Sequence, residues 1–299
     1  MSDSRKNRKR RGVVVFLLAA LLLAGGIAYK FLRQNQWTIT QYGSISGGQC
    51  MCYTITDRHG FFAIVDGGYD VDAEQVRQLI RKHHNHVNVW IITHTHPDHA
   101  GAFNEIMADP SNGITVDRIY TVQANTERYR ETAQSYDGFQ THEDFVKLTE
   151  KMDQLEYLGD NDTRDLDGLK MKVLSAWDKN VDALPSHLCN DGSMMFRLDA
   201  PDRSMLFCAD VQAEMEPYIY AAHEDELKAD YIQCGHHGNW GLSLDFYDRV
   251  APEEAFLDGP DFLFEEGGVY DGYLLKQYFD EKGTVCHLLS QAPAKVILK

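Results

Sequence analysis

The sequence predicts an α/β fold in which two β-sheets pack together with helices outside them, preceded by one apolar amino-terminal segment. Three observations carry this expectation. Short β-rich runs alternate with helical stretches from residue 37 to residue 299. Hairpin-like strand pairs occur in the same stretch as βα units. No Pro/Gly/Ser-rich linker interrupts it, so residues 37–299 read as one domain.

The first element is the segment 12–29, mostly VVVFLLAALLLAGGIA, which follows a basic tail at 1–11. Its length is at the short end for a bilayer-spanning helix and slightly long for the core of a secretory signal. Arg5, Lys6, Arg8, Lys9, Arg10 and Arg11 precede it, while Lys30 and Arg33 follow. That bias keeps the tail in the cytoplasm and places the large domain outside the cell membrane as a single-pass, extracytoplasmic protein. Gly26 and Ala28 are small residues suitably spaced for cleavage, so secretion after signal removal is the competing expectation.

In the main domain, β-rich runs fall at 37–40, 51–56 and 61–65, the last two joined by the turn-like Asp57-Arg58-His59-Gly60. Gly67-Gly68 ends the third run, and 72–84 reads as a helix with Val76, Leu79 and Ile80 on one face. VNVWIIT at 87–93 is an apolar strand leading into a loop at 94–101. A helix-and-strand unit then ends at 119–122, residues 127–158 read as largely helical, and 169–174 as a strand. Strands at 193–198, 204–208, 231–234, 255–257 and 285–289, with helices between, complete the domain.

Charge is unevenly placed. The chain has 29 Lys+Arg and 45 Asp+Glu, a net charge of −16, but residues 1–33 hold eight of the bases and one of the acids. The remainder therefore carries 21 bases and 44 acids, about −23. So acidic a domain has no diffuse affinity for polyanions, and no general nucleic-acid binding is expected. A hydrophobic share of 43 % with 11 % aromatics excludes disorder. Among the six cysteines there is no CxxC pair, which argues against a zinc ribbon or a thioredoxin-type site. Cys208 and Cys234 end apolar runs and read as buried thiols, and most of the six read as structural.

The chemistry lies in His94-Thr95-His96-Pro97-Asp98-His99, four potential metal ligands in six residues directly after a buried strand. In an extended loop His94 and His96 project to one side, while Asp98 and His99 reach a neighbouring position, so one loop can serve two adjacent cations. Imidazole and carboxylate suit zinc, and manganese or iron less specifically. The bland alternative is a polar loop of satisfied histidines. His83, His84 and His86 sit at a helix end and read as surface residues, and His59, His142, His223 and His287 show no partner pattern.

This loop resembles the metallo-β-lactamase superfamily, whose signature is HxHxDH, and the resemblance covers most of residues 40–290. It implies an αββα sandwich holding two divalent metal ions, zinc first, with manganese or iron as alternatives. Asp66 in Val65-Asp66-Gly67-Gly68 is similar to the family's strand-end Asp that orients the metal loop. Asn190-Asp191-Gly192-Ser193, then Leu206-Phe207-Cys208-Ala209-Asp210, then Gly235-His236-His237-Gly238-Asn239 look like the subgroup typified by the extracytoplasmic domain of the DNA-uptake protein ComEC. Ala209 replaces a Gly of that pattern and Asn239 a Ser. The resemblance places His94 and His96 on the first metal, Asp98 and His99 on the second, and Asp210 between both. One of His236 and His237 completes the second site; His236, nearer the strand end, is favoured, leaving His237 to protonate a leaving group or bind substrate. His187 is the candidate for the first metal's third histidine, although its spacing to Ser193 does not match the common H-x-P-G-S.

The reaction so implied is hydrolysis by water that two cations acidify, with Asp98 doubling as ligand and proton acceptor. There is no G-x-S-x-G elbow, so a serine triad is not supported. The expected substrate is a phosphate ester or phosphodiester, either a small phosphoester or a phospho-substituent at the cell surface. A thioester, lactone or β-lactam hydrolase is one alternative; a membrane-tethered domain that binds without turnover is the other. Trp240, Tyr218, Tyr220 and Tyr270 are candidates to line the cleft.

Overall fold

Trp37, Ile39 and Gln41 are buried while Thr38 and Thr40 are half-buried, the period-two signature of a strand with one face inward. In this computed structural model, which describes residues 35–267 and 269–299, that strand, β1 (Trp37–Gln41), pairs antiparallel with β2 (Cys52–Asp57), and β2 with β3 (Phe62–Asp66). Parallel pairing then extends the sheet through β4 (His86–Ile91), β5 (Thr115–Thr121) and β6 (Leu155–Tyr157). A second sheet contains β7 (Thr163–Leu166), β8 (Leu169–Ser175), β9 (Met195–Asp199) and β10 (Ser204–Phe207) in antiparallel order. It continues in parallel with β11 (Tyr231–Gln233), β12 (Glu254–Leu257) and β13 (Val285–Leu288). The final strand, β14 (Ala294–Leu298), returns to the first sheet beside β1. Each sheet thus has seven strands and is mixed.

The two sheets face each other across one core. Ile39, Tyr53, Val65 and Ile91 meet Val173, Phe196, Phe207 and Phe256 there. Phe196 stacks on Phe207 at 4.8 Å between ring centroids, and Tyr53 approaches Phe207 edge-on at 5.2 Å. Each fully buried aromatic of this kind stabilises the fold by roughly 2–3 kcal/mol. Outside the first sheet, α1 (Ala73–Lys82) and α2 (Pro97–Met107) bury Val76, Ile80 and Phe103 against Ile64 and Trp90. Outside the second, Ile219, Phe246 and Phe279 from three helices cover Leu206, Ile232 and Ala255. The result is a sandwich of two mixed sheets with helices on both outer faces, as expected for 37–299.

Three local expectations are corrected. The loop foreseen at 94–101 is helical from Pro97, because Pro is well placed at the first helical position and Asp98 in the first turn faces the positive end of the helix. The long helix foreseen over 127–158 is instead α3 (Thr126–Thr132) and α4 (Phe139–Thr149), followed by β6. The first ends at Thr132, where Ala133 turns extended (φ −59°, ψ 131°), and the second starts after Gly138, whose backbone is left-handed (φ 61°). Strands β6, β7 and β14 were not foreseen; β7 fully buries only Leu166, and β6 buries no residue fully. The expected tail at 1–11 and apolar segment at 12–29 lie outside the described residues. Among the described residues no helix is long and apolar enough to cross a membrane.

Candidate metal centre

Strands β3 and β4 are parallel neighbours, and their carboxyl ends build the base of the centre. Asp66, fully buried in a left-handed conformation (φ 53°) at the end of β3, accepts at Oδ1 from the Thr93 backbone N–H at 2.7 Å. Its Oδ2 accepts from Thr93 Oγ1 at 2.7 Å and faces His99 Nδ1 at 2.8 Å. The Trp90 indole donates to the Asp66 carbonyl at 2.9 Å. Asp66 thus holds both the strand end and the His99 ring. Burial pushes its carboxyl pKa up, and His99 and the Thr93 donors pull the other way.

His99 Nε2 is thereby aimed at the centre, 3.2 Å from Asp210 Oδ1, 3.3 Å from His237 Nε2 and 4.0 Å from Asp98 Oδ1. His237 Nε2 lies 3.1 Å from Asp98 Oδ2 and 3.4 Å from Asp210 Oδ2. Across Asp210, His94 Nε2 is 3.7 Å from Oδ2. Asp98 is fixed by Gln49 Nε2 at 2.9 Å, and Asp210 by its own N–H donating to Ser193 Oγ at 3.1 Å. The Ala209 N–H donates to Gln233 Oε1 at 2.7 Å, holding Ala209 in a left-handed turn (φ 48°) just before Asp210.

Electrostatics follow from this crowding. Burial disfavours charge on His237, but Asp210 and Asp98 outweigh it and push its pKa up to about 10. The His99 pKa is likewise raised, burial being outweighed by Asp210, Asp98 and Asp66. Asp98 and Asp210 are held below the usual carboxylate range by the imidazoles beside them, against the opposing effect of burial. His94 is driven far down by burial and by its imidazole neighbours.

Buried polar atoms of the centre without hydrogen-bond partners show whether its residues suit a metal ion. His94 Nε2 and His96 Nε2 make no hydrogen bond, Asp210 Oδ1 has the His99 imidazole nitrogen beside it at 3.2 Å, and all three atoms are sealed from solvent. Leaving such groups unsatisfied is costly, and imidazole and carboxylate are ordinary ligands for zinc and similar cations. Three overlapping ligand groups arise: His94, His99 and Asp210; Asp98, His99 and His237; and His94, His96 and Cys189, with the ligand atoms of each group within 4.8 Å of one another. The residues fit a dinuclear centre.

Of the sequence candidates, His94, His96, Asp98, His99, Asp210 and His237 converge. His236 stands apart: its Nδ1 donates to the Asn239 carbonyl at 2.6 Å, and it lines the open cleft. The reason lies in the backbone, since His236, His237 and Gly238 are all left-handed (φ 49°, 61°, 85°), which swings the second histidine of the pair inward. His187, half-buried and itself left-handed (φ 59°), also lines the cleft but joins none of the ligand groups. Cys189 was missed. Its signal was present, because Cys189-Asn190-Asp191-Gly192-Ser193 puts a cysteine at the histidine position of H-x-P-G-S.

Several residues read as unpartnered have partners. His142 bridges Thr95 Oγ1 and Thr126 Oγ1, each at 2.9 Å, behind the metal loop, and burial lowers its pKa to about 4. His223 sits between Asp160 and Glu226, and His287 meets Glu254. All six cysteines are free thiols.

The cleft above the centre has a volume of about 730 Å³ and is rimmed by Tyr69, Tyr136, Trp240, Phe262 and Tyr270. Of the four aromatics foreseen there, Trp240 and Tyr270 line it, whereas Tyr218 is exposed on the surface and Tyr220 packs on Phe246. No Lys or Arg lines the cleft among the described residues.

Comparison with known proteins agrees with this geometry. Residues 45–255 match the family model described as the metallo-beta-lactamase superfamily. No curated protein matches in sequence. Among solved structures, the metallo-beta-lactamase fold protein YhfI from Bacillus subtilis is similar at TM-score 0.52 and 13 % identity, over 88 % of this chain and 99 % of that one. CmlA, a diiron β-hydroxylase from Streptomyces venezuelae, is similar at TM-score 0.55 and 13 % identity, over 88 % of this chain and 54 % of that one. At these identities the likeness is one of fold. With the family model spanning more than two thirds of the sequence and the HxHxDH loop, Asp66, Asp210 and His237 gathered at one end of the sandwich, this chain belongs to the metallo-beta-lactamase superfamily.

Proposed function

We propose that the protein is a metal-dependent hydrolase of phosphate esters, most specifically small phosphodiesters, of the ComEC-like kind. The observation that carries the metal dependence is the set of overlapping buried ligand groups that share His94 and His99, in which His94 Nε2 and His96 Nε2 lack hydrogen-bond partners. His94 and His96 would hold one cation, Asp98, His99 and His237 the other, and Asp210 both. When bound, two divalent cations supply Lewis acidity and an acidified water at neutral pH. Zinc is the first candidate; manganese and iron remain in the donor set's range.

The chain's own residues supply the rest. Gln49 keeps Asp98 in place, and Asp66 keeps the His99 ring in one tautomer. His236, with Nδ1–H committed to Asn239 and its pKa lowered by burial, is the neutral cleft imidazole available to exchange a proton with substrate. The aromatic rim offers an apolar ledge for the organic part of an ester. A cleft lined by no Lys or Arg among the described residues and a charge near −23 over residues 34–299 favour a small substrate, or a phospho-substituent at the cell surface, over a nucleic-acid polymer. The apolar segment at 12–29 would tether the domain outside the cell membrane.

A panel of bis-aryl phosphodiester, aryl phosphomonoester, single-stranded DNA, thioester and β-lactam, tested with metal-loaded wild type and Asp98→Asn, checks the reading. Phosphodiester turnover that falls at least about 100-fold in Asp98→Asn supports it. Turnover of the thioester or β-lactam alone replaces the substrate class. Activity on none, with metals loaded, leaves a binding domain.

A further inference from the structure

The metal loop carries two histidines toward the first cation, and the expected third histidine, His187, is not with them. What stands there is a thiol. Cys189 is 2 % exposed, and its Sγ, with one ring nitrogen each of His94 and His96, forms a group whose members all lie within 4.8 Å of one another. Both histidines are more than nine-tenths buried, and the Nε2 of each has no hydrogen-bond partner. The thiol approaches Thr95 Oγ1 at 3.8 Å and also faces the His96 imidazole and the Tyr129 hydroxyl. Two buried imidazole nitrogens without hydrogen-bond partners therefore stand beside a buried thiol, an arrangement that is unfavourable without an occupant.

The position of Cys189 is built rather than incidental. It lies in the helical turn Leu188–Asp191, entered through the left-handed His187 and left through Gly192. A Cβ on Gly192 would come within 2.4 Å of the Trp177 ring, so the turn is pressed against that indole. Just beyond it, the Met194 N–H donates to the Thr93 carbonyl at 2.9 Å, tying the turn to the strand end that carries His94. A cysteine here reaches the loop with a short side chain, in place of a longer imidazole.

Resting on the reading of the site as a metal centre, the geometry points to Cys189 as the third protein ligand of the cation held by His94 and His96. The first site is then a thiolate–bis-imidazole site, with the thiol proton released to solvent on loading. The second, from Asp98, His99 and His237, has only nitrogen and oxygen donors. Thiolate favours zinc and other thiophilic ions over manganese, so the two positions differ in metal preference.

Cobalt(II) loading of metal-depleted full-length protein tests the assignment, with absorption spectra and bound cobalt recorded on the same samples. Wild type should show an intense near-ultraviolet thiolate-to-cobalt charge-transfer band. Cys189→Ala should lose the band and bind one of its two cobalt ions on the order of 10- to 100-fold more weakly. Cys189→His, which restores a third ligand, should bind two ions without the band, and Cys50→Ala should keep it. Two cobalt ions bound with no band in wild type, or a band that survives Cys189→Ala, overturns the assignment while leaving the metal centre intact. Failure of wild type to bind cobalt overturns the metal-centre reading itself.

Discussion

His237 Nε2 lies 3.1 Å from Asp98 Oδ2, and this contact decides which member of the His236–His237 pair belongs to the centre. Position along the chain favoured His236, but three successive left-handed residues reverse the order in space. Replacing His237 with Ala is therefore expected to remove about one of two bound metal ions, and His236→Ala to retain both. Metal analysis after dialysis separates the two; the opposite pattern would reinstate His236 as the ligand.

Asp66 accepts from Thr93 N–H at one oxygen and from Thr93 Oγ1 and His99 at the other. Asp66→Asn turns its NH2 group toward a donor whichever way the amide is flipped. Metal affinity is expected to fall about 10- to 100-fold, with the sandwich still folded. Competition with a chromophoric chelator measures this, and an unchanged affinity would mean that His99 needs no such support.

Protons and metal compete for the same imidazoles. Asp210 and Asp98 push the pKa of His237 up to about 10, and the carboxylates around His99 raise its pKa as well, so protons are favoured at this imidazole pair in the metal-free protein. Loading must displace protons from the pair, and the apparent affinity should strengthen as pH rises from about 6 to about 8. Titration calorimetry in buffers of different ionisation enthalpy counts the released protons; at least one is expected, and none would contradict the paired state seen at Asp98 and Asp210.

Helix α2 approaches the chain at Tyr69 and Asp70 so closely that a Cβ on Gly101 would fall 2.6 Å from the Asp70 backbone nitrogen. Gly101→Ala should lower stability by about 1–3 kcal/mol. Because α2 carries Asp98 and His99 in its first turn, metal affinity should weaken with it. Urea unfolding reports the first effect, and an unshifted midpoint would show that the contact yields without cost.

Much of this was legible in the residues. The apolar 87–93 run, followed by four ligand types in six positions, located the metal loop. Glycines and alternating apolar residues located most strands, because buried strands write their period into the sequence. What escaped was set by tertiary geometry. Strand β14 is five residues long and is held by its partner β1 rather than by its own pattern. The inward turn of His237 depends on backbone angles that no spacing rule reports. Cys189 was passed over because a cysteine in a buried segment is usually a small hydrophobe, although its distance from Ser193 marked the place of a ligand.

We propose that the buried histidines and aspartates form a two-metal hydrolytic centre. It is tested most directly by titrating metal-depleted protein with zinc while following bound metal and bis-aryl phosphodiester hydrolysis in the same samples. Two equivalents bound per chain, with activity rising as the second is filled, is the predicted result. Less than about one equivalent bound, with no hydrolysis restored by zinc or manganese, would contradict it.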